Sequence, residues 1–311
     1  MIDDPAEFAR TLAAIYGFDV VQPVTYPLGV TLSAKLRLAA SDDNLPIVAG
    51  EIAELARALV DAPLSIPDAA PCLATACFAD ELFASTGNPA HRQLLIASAD
   101  RFHADPDVRV EDFFFAGALL GRAATLIGDA RYADSLFNLL LAADTLTDDD
   151  LYWHCHGSPW YWGRGNAFAA LGIAEALSAV RDHPQRPELI ARNECHLLAV
   201  RKLQATSGMW HQVIDDPSTF EEYSATCMFG YAIARGIHGG WLSADWLGVV
   251  ESAWRGIVSQ TSVTGELNQV CVGTGPLDSR NAYVTRAYST GLDDRGGAMA
   301  LWFATAMAAL V

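Results

Sequence analysis

The sequence predicts an all-α protein in which helical hairpins close into a ring, a double α/α barrel, within one domain spanning residues 1–311. Apolar residues recur at helical spacing along nearly the whole chain, whereas strand signals are scarce. Hairpin-like units recur weakly at roughly 40 to 55 residues, which is typical of a helical repeat. The unusual residues lie in the long segments between hairpins, and a closed ring would gather those segments at one end.

The first half of the chain begins with a short amphipathic helix in FARTLAAIYGF and two helices in GVTLSAKLRLAAS and LPIVAGEIAELARALVDA. The joint APLSIPDAAP follows, and its prolines interrupt the helical pattern. Two similar blocks come next, at residues 72–102 and 111–144. Each block has an apolar helix, a turn with Gly and Asn or Asp, and an amphipathic helix.

The second half continues with two more hairpins and a closing helix. Their segments are NAFAALGIAEALSAV with PELIARNECHLLAVRKLQA, SATCMFGYAIARGIHGG with SADWLGVVESAWRGIVSQ, and GGAMALWFATAMAAL. The closing helix is too short to span a bilayer comfortably, so we expect it in the core. A short ribbon around GELNQVCVGTG is the strand structure that we predict.

The composition limits the possible partners. A net charge of −17 argues against nucleic acid or an anionic membrane surface, which both require a basic footprint. A small anionic substrate remains compatible, because a local arginine can outweigh the distant net charge. The acidic start without a signal pattern, and scattered cysteines without a CxxC pair, predict a cytoplasmic protein. We predict no cofactor and leave the oligomeric state open.

The segment Leu151–Phe168, LYWHCHGSPWYWGRGNAF, has two histidines, an arginine and five aromatic residues before Phe168. Aromatic faces beside Arg and His are typical of sites that bind sugars and anions. A buried aromatic loop that closes the end of a helical bundle is the alternative. The pair His154 and His156 has only Cys155 nearby, so we predict no metal site.

Several short motifs resemble the unsaturated glucuronyl and rhamnogalacturonyl hydrolases of glycoside hydrolase families 88 and 105. These motifs are LYWH with WGRGNAF, GMWHQV, EEYSATCMFGYAIARGI, VCVGTG, and the pair Tyr283 and Arg286 before DDRGGAMAL. The resemblance is strongest from about Leu151 to the C-terminus. It implies an (α/α)6 barrel with the site at one mouth, acting on a uronic acid that carries a 4,5 double bond.

The resemblance also implies an acid that protonates the double bond, in the segment RVEDFFF. It places Glu111 at the catalytic position, with Arg109 replacing a tryptophan and Asp112 as the alternative acid. A second aspartate of the family falls near Pro71, where Asp68 is the closest acidic residue. Both acids of RVEDFFF could instead cap the following helix, since carboxylates favour a helix N-terminus.

The predicted substrate contacts follow from the same resemblance. They are Tyr26, His154, Trp162, Arg164, Phe168, Trp210 and His211. Phe168 stands where the family usually has tryptophan, and His211 could equally be a core histidine. The predicted partner is a small oligosaccharide with a uronic acid. The alternatives are hydrolysis of a saturated glucuronide or other glycoside, and a sugar-binding protein without catalysis.

Overall fold

The computed structural model describes residues 3–41 and 44–310. In chain order, its helices are α1 (Pro5–Ala13), α2 (Tyr26–Ser41), α3 (Leu45–Leu55), α4 (Arg57–Asp61), α5 (Ala70–Leu73), α6 (Ala79–Thr86), α7 (Pro89–Arg101), α8 (Val110–Ala116), α9 (Arg122–Ile127), α10 (Ala130–Ala142), α11 (Gly163–Ala179), α12 (Arg186–Lys202), α13 (Tyr223–Gly239), α14 (Leu247–Ser259), α15 (Arg280–Val284) and α16 (Asp294–Ala308). Short 3₁₀ turns lie at Pro63–Ser65, Ala74–Phe78 and Ala244–Trp246, and a π-helical turn lies at Gly117–Gly121. The strands β1 (Leu267–Cys271) and β2 (Tyr288–Gly291) pair antiparallel, which confirms the predicted ribbon.

Inner and outer helices alternate along the chain and close into a ring. The inner layer contains α2, residues 70–86, residues 110–127, α11, α13 and α16, each packed against the next, and α16 packs against α2 to close it. The outer layer contains α1, α3 with α4, α7, α10, α12 and α14. This arrangement is an (α/α)6 barrel, as predicted, and α16 lies in its core.

Two sharp turns connect inner helices to outer ones by the same local chemistry. Gly87 and Gly128 end α6 and α9 with φ of 67° and 74°, a conformation that favours glycine. Asn88 and Asp129 then cap α7 and α10 by accepting hydrogen bonds from backbone N–H groups. Both turns were predicted from the Gly–Asn and Gly–Asp pairs.

The inner helices α8 and α11 approach each other closely at two glycines, Gly172 within α11 and Gly117 directly after α8. A Cβ on Gly172 would lie 2.2 Å from the backbone carbon of Phe113, and one on Gly117 would lie 2.6 Å from the Gly172 oxygen. Only glycine fits this contact without moving a helix. The contact fixes the height of α8, whose first turn carries Glu111 and Asp112.

A charged network that the sequence did not predict lies deeper in the barrel. The Arg122 guanidinium contacts Asp80 at 2.9 Å and Glu175 at 3.1 Å, and its side chain is only 7% exposed. Tyr231 donates a hydrogen bond to Glu175 and stacks on Trp302. Charges at this depth require partners, because an unpaired buried charge is costly.

Within residues 3–41 and 44–310, none of the helices combines the length and apolarity that crossing a membrane requires.

Candidate active site

A cavity of about 650 Å³ opens at the end of the barrel where the inner helices begin. Its wall includes first-turn residues of successive inner segments, among them Tyr26, Ala70, Glu111, Arg164 and Arg295. Helix N-termini carry partial positive charge and free N–H groups. These N–H groups and the arginines of the wall can bind a negative group locally, even though four carboxyl groups also line the cavity: Asp68, Asp105, Glu111 and Asp112.

Glu111 extends from the first turn of α8 into this cavity. Its side chain is 13% exposed, whereas the neighbouring His154 is fully buried. Nε2 of His154 lies 3.0 Å from both carboxylate oxygens and makes its hydrogen bond to Oε1. The backbone N–H of Val110 also donates to the His154 carbonyl at 3.1 Å, so the two segments are held together twice.

The other nitrogen of His154 reaches a second buried group. Its Nδ1 lies 2.5 Å from the Tyr283 hydroxyl, which in turn lies 2.8 Å from Oγ of Ser158. Burial raises the pKa of Tyr283 to about 12, so the phenol keeps its proton at neutral pH. Glu111, His154, Tyr283 and Ser158 therefore form one connected chain of hydrogen-bonding groups.

Asp112 lies beside Glu111 in the cavity wall but has a different set of contacts. Its Oδ2 accepts hydrogen bonds from the backbone N–H groups of Arg109 at 3.0 Å and Asp105 at 3.3 Å. Burial raises the pKa of Asp112 to about 6, although these two N–H groups lower it. Asp112 thus caps α8 and fixes the preceding loop, which is the capping alternative considered above.

Aromatic rings form the base of the cavity. Tyr26 packs edge-on against Phe168 and Phe114, with 5.7 Å between ring centroids in each pair. Trp162 lies 4.8 Å from the His154 ring and tilts toward it. Such a floor can contact the apolar face of a sugar ring.

Arg164 is buried at the start of α11, and its position depends on three other segments. Its Nη1 and Nη2 donate to the carbonyls of Cys271 and Val272 at 2.5 and 2.7 Å, and its guanidinium lies over Trp162. Glu222 lies 3.9 Å away and caps α13 through the N–H groups of Ser224 and Ala225. Nε of Arg164 is buried and has no hydrogen-bond partner among the described residues, which leaves one donor for a ligand.

Comparison with known protein families identifies the family of this chain. The model of Glycosyl Hydrolase Family 88 matches residues 110–311, which contain all the motifs from Glu111 onward. The chain belongs to glycosyl hydrolase family 88. A curated relative, the unsaturated rhamnogalacturonyl hydrolase YesR of Bacillus subtilis, is 29% identical over 170 residues, or 51% of this chain. That alignment covers 47% of YesR, so the chain matches about half of its relative's length.

Solved structures with low sequence identity share the fold of this family 88 chain. A possible member of the GH105 family from Salmonella enterica superposes with a TM-score of 0.84 at 20% identity, covering 98% of this chain and 94% of that one. Unsaturated glucuronyl hydrolase from Bacillus sp. GL1 superposes with a TM-score of 0.68 at 13% identity, covering 96% and 93%. Both likenesses confirm the barrel.

The positions of Trp210 and His211 correct the sequence-based assignment of the GMWHQV motif in this family 88 member. Trp210 is fully buried, packs against Phe229, and donates its indole N–H to the Val200 carbonyl. His211 pairs with the Thr219 carbonyl at 2.7 Å. Neither side chain lines the cavity, since Trp210 packs into the core beside α13 and the half-buried His211 is engaged by its own loop.

Of the remaining predicted contacts, Tyr26, Trp162, Arg164 and Phe168 line the cavity. His154 does not line it but lies buried behind the wall, where its Nε2 contacts Glu111. His156 points away and pairs with Asp144 at the surface. Among the described residues, no group of three or more His, Cys, Asp or Glu side chains is arranged to hold a metal ion.

Several residues of the site were not assigned a role from the sequence. Tyr283, Ser158, Glu222 and Arg295 appeared only inside quoted motifs. The first three are placed by contacts across more than forty residues of sequence, such as Cys271 N–H to Glu222 at 2.9 Å. Arg295 instead pairs with Asp293, two residues away. The one signal for these residues in the sequence was that each is a polar residue inside or beside a specific motif.

Proposed function

We propose that this chain hydrolyses oligosaccharides that end in an unsaturated glucuronyl or galacturonyl unit, by hydration of the 4,5 double bond. The observation that supports the proposal most strongly is the carboxyl of Glu111, which faces the cavity and hydrogen-bonds to a buried histidine. A single carboxylic acid in that position can give a proton to the substrate and later accept one from water.

The hydrogen bonds around His154 determine where its protons lie. Ser158 has one hydroxyl proton, and its Oγ lies 2.6 Å from the Leu277 carbonyl, which only accepts. The contact between Tyr283 and Ser158 must then use the phenol proton. Consequently Nδ1 of His154 donates to Tyr283, and a neutral His154 presents a bare Nε2 to Glu111.

This arrangement leaves the lone pair of Nε2 facing Glu111 at 3.0 Å, so a carboxylic acid at Glu111 can donate a hydrogen bond to it. His154 acts as a positioning residue, because it orients the carboxyl without contacting the sugar.

The proposed reaction uses the proton of that carboxylic acid in balanced steps. Glu111 protonates C4 of the double bond, and positive charge develops at C5, where the ring oxygen shares it. Water adds to C5 while Glu111 takes its proton, which gives a hemiketal and regenerates the acid. The hemiketal opens to a ketone at C5, and its hydroxyl proton passes to the former ring oxygen. The hemiacetal that this leaves at C1 collapses to an aldehyde, and the leaving sugar departs with the hydroxyl proton.

The arginines of the cavity support a uronic acid as the unit bound there. Arg109, Arg164 and Arg295 line the wall, and the helix N-termini add further positive potential. The Nε atoms of Arg164 and Arg295 are buried and have no hydrogen-bond partner among the described residues. A substrate carboxylate would satisfy such donors with charge-assisted bonds.

Hydrolysis of a saturated glucuronide has less support from the site. That reaction generally needs two carboxyl groups flanking the glycosidic bond. Asp112 is engaged by two backbone N–H groups, and Asp68 lies on the exposed rim, 3.4 Å from Arg101.

The six unpaired cysteine thiols support the cytoplasm as the proposed location.

The test is incubation with lyase-generated unsaturated disaccharides while the absorbance of the double bond is followed. We expect the absorbance to fall with the parent protein and to fall about 10³-fold more slowly with Glu111→Gln. Saturated aryl glucuronides should remain intact. If no unsaturated uronyl substrate loses absorbance, the proposal is wrong. Binding of those disaccharides without turnover would then support a sugar-binding protein.

A further inference from the structure

A second cavity, of about 480 Å³, lies directly beside the candidate active site. Thr25, Pro27 and Arg295 line both cavities, so the two spaces share a wall at these residues. A substrate longer than one sugar could extend past Arg295 from one cavity into the other.

The wall of the second cavity contains large apolar side chains that are open to solvent. Phe18 is 57% exposed, Val21 70% and Leu292 63%. Apolar side chains grouped around a cavity are typical of a binding surface. Nζ of Lys35 lies 3.7 Å from the Phe18 ring centroid, and the exposed part of that ring is free to stack on a ligand.

The loop that carries Phe18 is held in place before any ligand binds. Gly17 has a φ of +76°, and a Cβ at this position would lie 2.6 Å from Cγ2 of Thr31. Lys35 donates a hydrogen bond to the Gly17 carbonyl at 3.4 Å. The turn is therefore fixed against α2, and Phe18 needs little ordering to bind a ring.

The balance of charged side chains differs between the two cavities. The first has three arginines beside four carboxyl groups, whereas the second has Asp19, Asp293 and Asp294 with Arg295 as the one cation among the described residues of its lining. Carboxylates accept hydrogen bonds from sugar hydroxyls but repel a carboxylate or a sulfate. An aromatic ring between carboxylates is thus suited to a neutral sugar.

We propose that the second cavity binds the sugar on the leaving side of the scissile bond and selects a neutral one. Phe18 stacks on that sugar, and Asp19 and Asp294 accept its hydroxyl hydrogen bonds. A second uronic acid or a sulfated sugar binds poorly there. This inference rests on the proposed function of the first cavity, which binds the unsaturated uronyl unit.

The test uses three substrates with the same unsaturated uronyl unit, linked to methyl, to a neutral hexose or to a hexuronic acid. We expect the parent to prefer the hexose over the hexuronic acid in kcat/KM. Dividing kcat/KM for the hexose substrate by kcat/KM for the methyl glycoside gives a selectivity ratio. Phe18→Ala should lower this ratio about tenfold, a loss of about 1.4 kcal/mol. Phe18→Tyr, which keeps the ring, should restore the ratio.

The paired variant Asp19→Asn with Asp294→Asn tests the charge argument. It should narrow the preference for the hexose over the hexuronic acid. A ratio that is the same in Phe18→Ala and the parent, or equal use of hexose and hexuronic acid by the parent, would overturn the proposed sugar site.

Calorimetry with Glu111→Gln separates this inference from the proposed hydrolysis. The second cavity is supported if the hexose disaccharide binds more tightly than the methyl glycoside and adding Phe18→Ala abolishes that difference. This holds even if the parent shows no turnover. Turnover with equal affinities for both ligands overturns the second cavity and leaves the hydrolase standing. If the protein shows neither turnover nor binding, both the hydrolase proposal and the second sugar site are overturned.

Discussion

Nδ1 of His154 lies 2.5 Å from the hydroxyl of Tyr283, a residue 129 positions further along the chain. Both side chains are fully buried, and Trp162 packs against each ring. Because Tyr283 gives its own proton to Ser158, it can only accept from His154. A tyrosine that does not line the cavity thereby determines which nitrogen of the neutral His154 ring carries the proton.

We expect Tyr283→Phe to lower kcat about tenfold with little change in KM, because His154 loses the acceptor that holds its ring toward Glu111. Kinetics with an unsaturated disaccharide measure kcat and KM, and denaturant unfolding measures the free energy of unfolding. A loss of stability with kcat at the parent value would contradict the positioning role.

Tyr132→Phe is the matched control for that experiment. Its hydroxyl donates to Asp100 at 2.6 Å on the outer layer, so the variant also loses one phenol hydrogen bond. We expect its kcat to stay at the parent value, even where its free energy of unfolding falls as in Tyr283→Phe. Equal losses of kcat in both variants would contradict a positioning role through His154.

Asp112→Asn should change the pH dependence of stability. Burial raises the pKa of Asp112 from 3.8 to about 6, so the folded protein favours the protonated form. The stability that this group contributes is full below its unfolded pKa and is lost as pH rises through about 6. Asparagine can accept the same two backbone N–H groups without ionising.

We therefore expect the free energy of unfolding of the parent, relative to Asp112→Asn, to fall by about 3 kcal/mol between about pH 4 and pH 7. Denaturant unfolding at several pH values measures this difference. Parallel profiles of the two proteins would show that Asp112 is not buried as an acid.

Arg164→Lys should loosen the loop at residues 273–275, which lines the cavity. Lysine cannot reproduce the two bonds to the Cys271 and Val272 carbonyls, so we expect a loss of about 2–4 kcal/mol and faster amide exchange in the loop. Arg131→Lys, whose side chain is 66% exposed, is the control and should stay within about 0.5 kcal/mol of the parent. Equal losses in both variants would contradict a clamping role.

Local signals explain why most of the fold could be predicted. The helical hairpins follow from apolar periodicity, and the turns at Gly87 and Gly128 follow from residues that are neighbours in sequence. The charged network around Arg122 could not be predicted in this way. Its partners Asp80 and Glu175 come from different inner helices, so the pairing depends on ring closure.

The site residues also divide into those that local sequence signals predict and those that only the packing of the chain places. Glu111, His154, Trp162 and Arg164 lie in recognisable motifs, and the structure brings them together at the cavity. Trp210 has the same composition signal, yet it packs against Phe229 outside the cavity, because the tryptophan ring can serve in a core as well as in a sugar site. Only the packing of α13 separates these two roles.

Gly172→Ala tests whether the contact between α8 and α11 positions the acid. The new methyl would lie 2.2 Å from the Phe113 backbone, so α8 must move away from α11. Overpacking of this kind costs about 1–3 kcal/mol, and a displaced Glu111 would lose its 3.0 Å contact with His154. We expect both a lower free energy of unfolding and a fall in kcat.

Gly50→Ala is the matched control, because Gly50 lies inside α3 and a Cβ there meets nothing within 4 Å. Alanine should stabilise that helix by about 0.4–1 kcal/mol and leave kcat at the parent value. Thermal unfolding and kcat with one unsaturated disaccharide, measured for both variants, separate a general effect of alanine from the specific clash. If Gly172→Ala keeps the stability and kcat of the parent, the close approach of the two helices does not hold Glu111 in place.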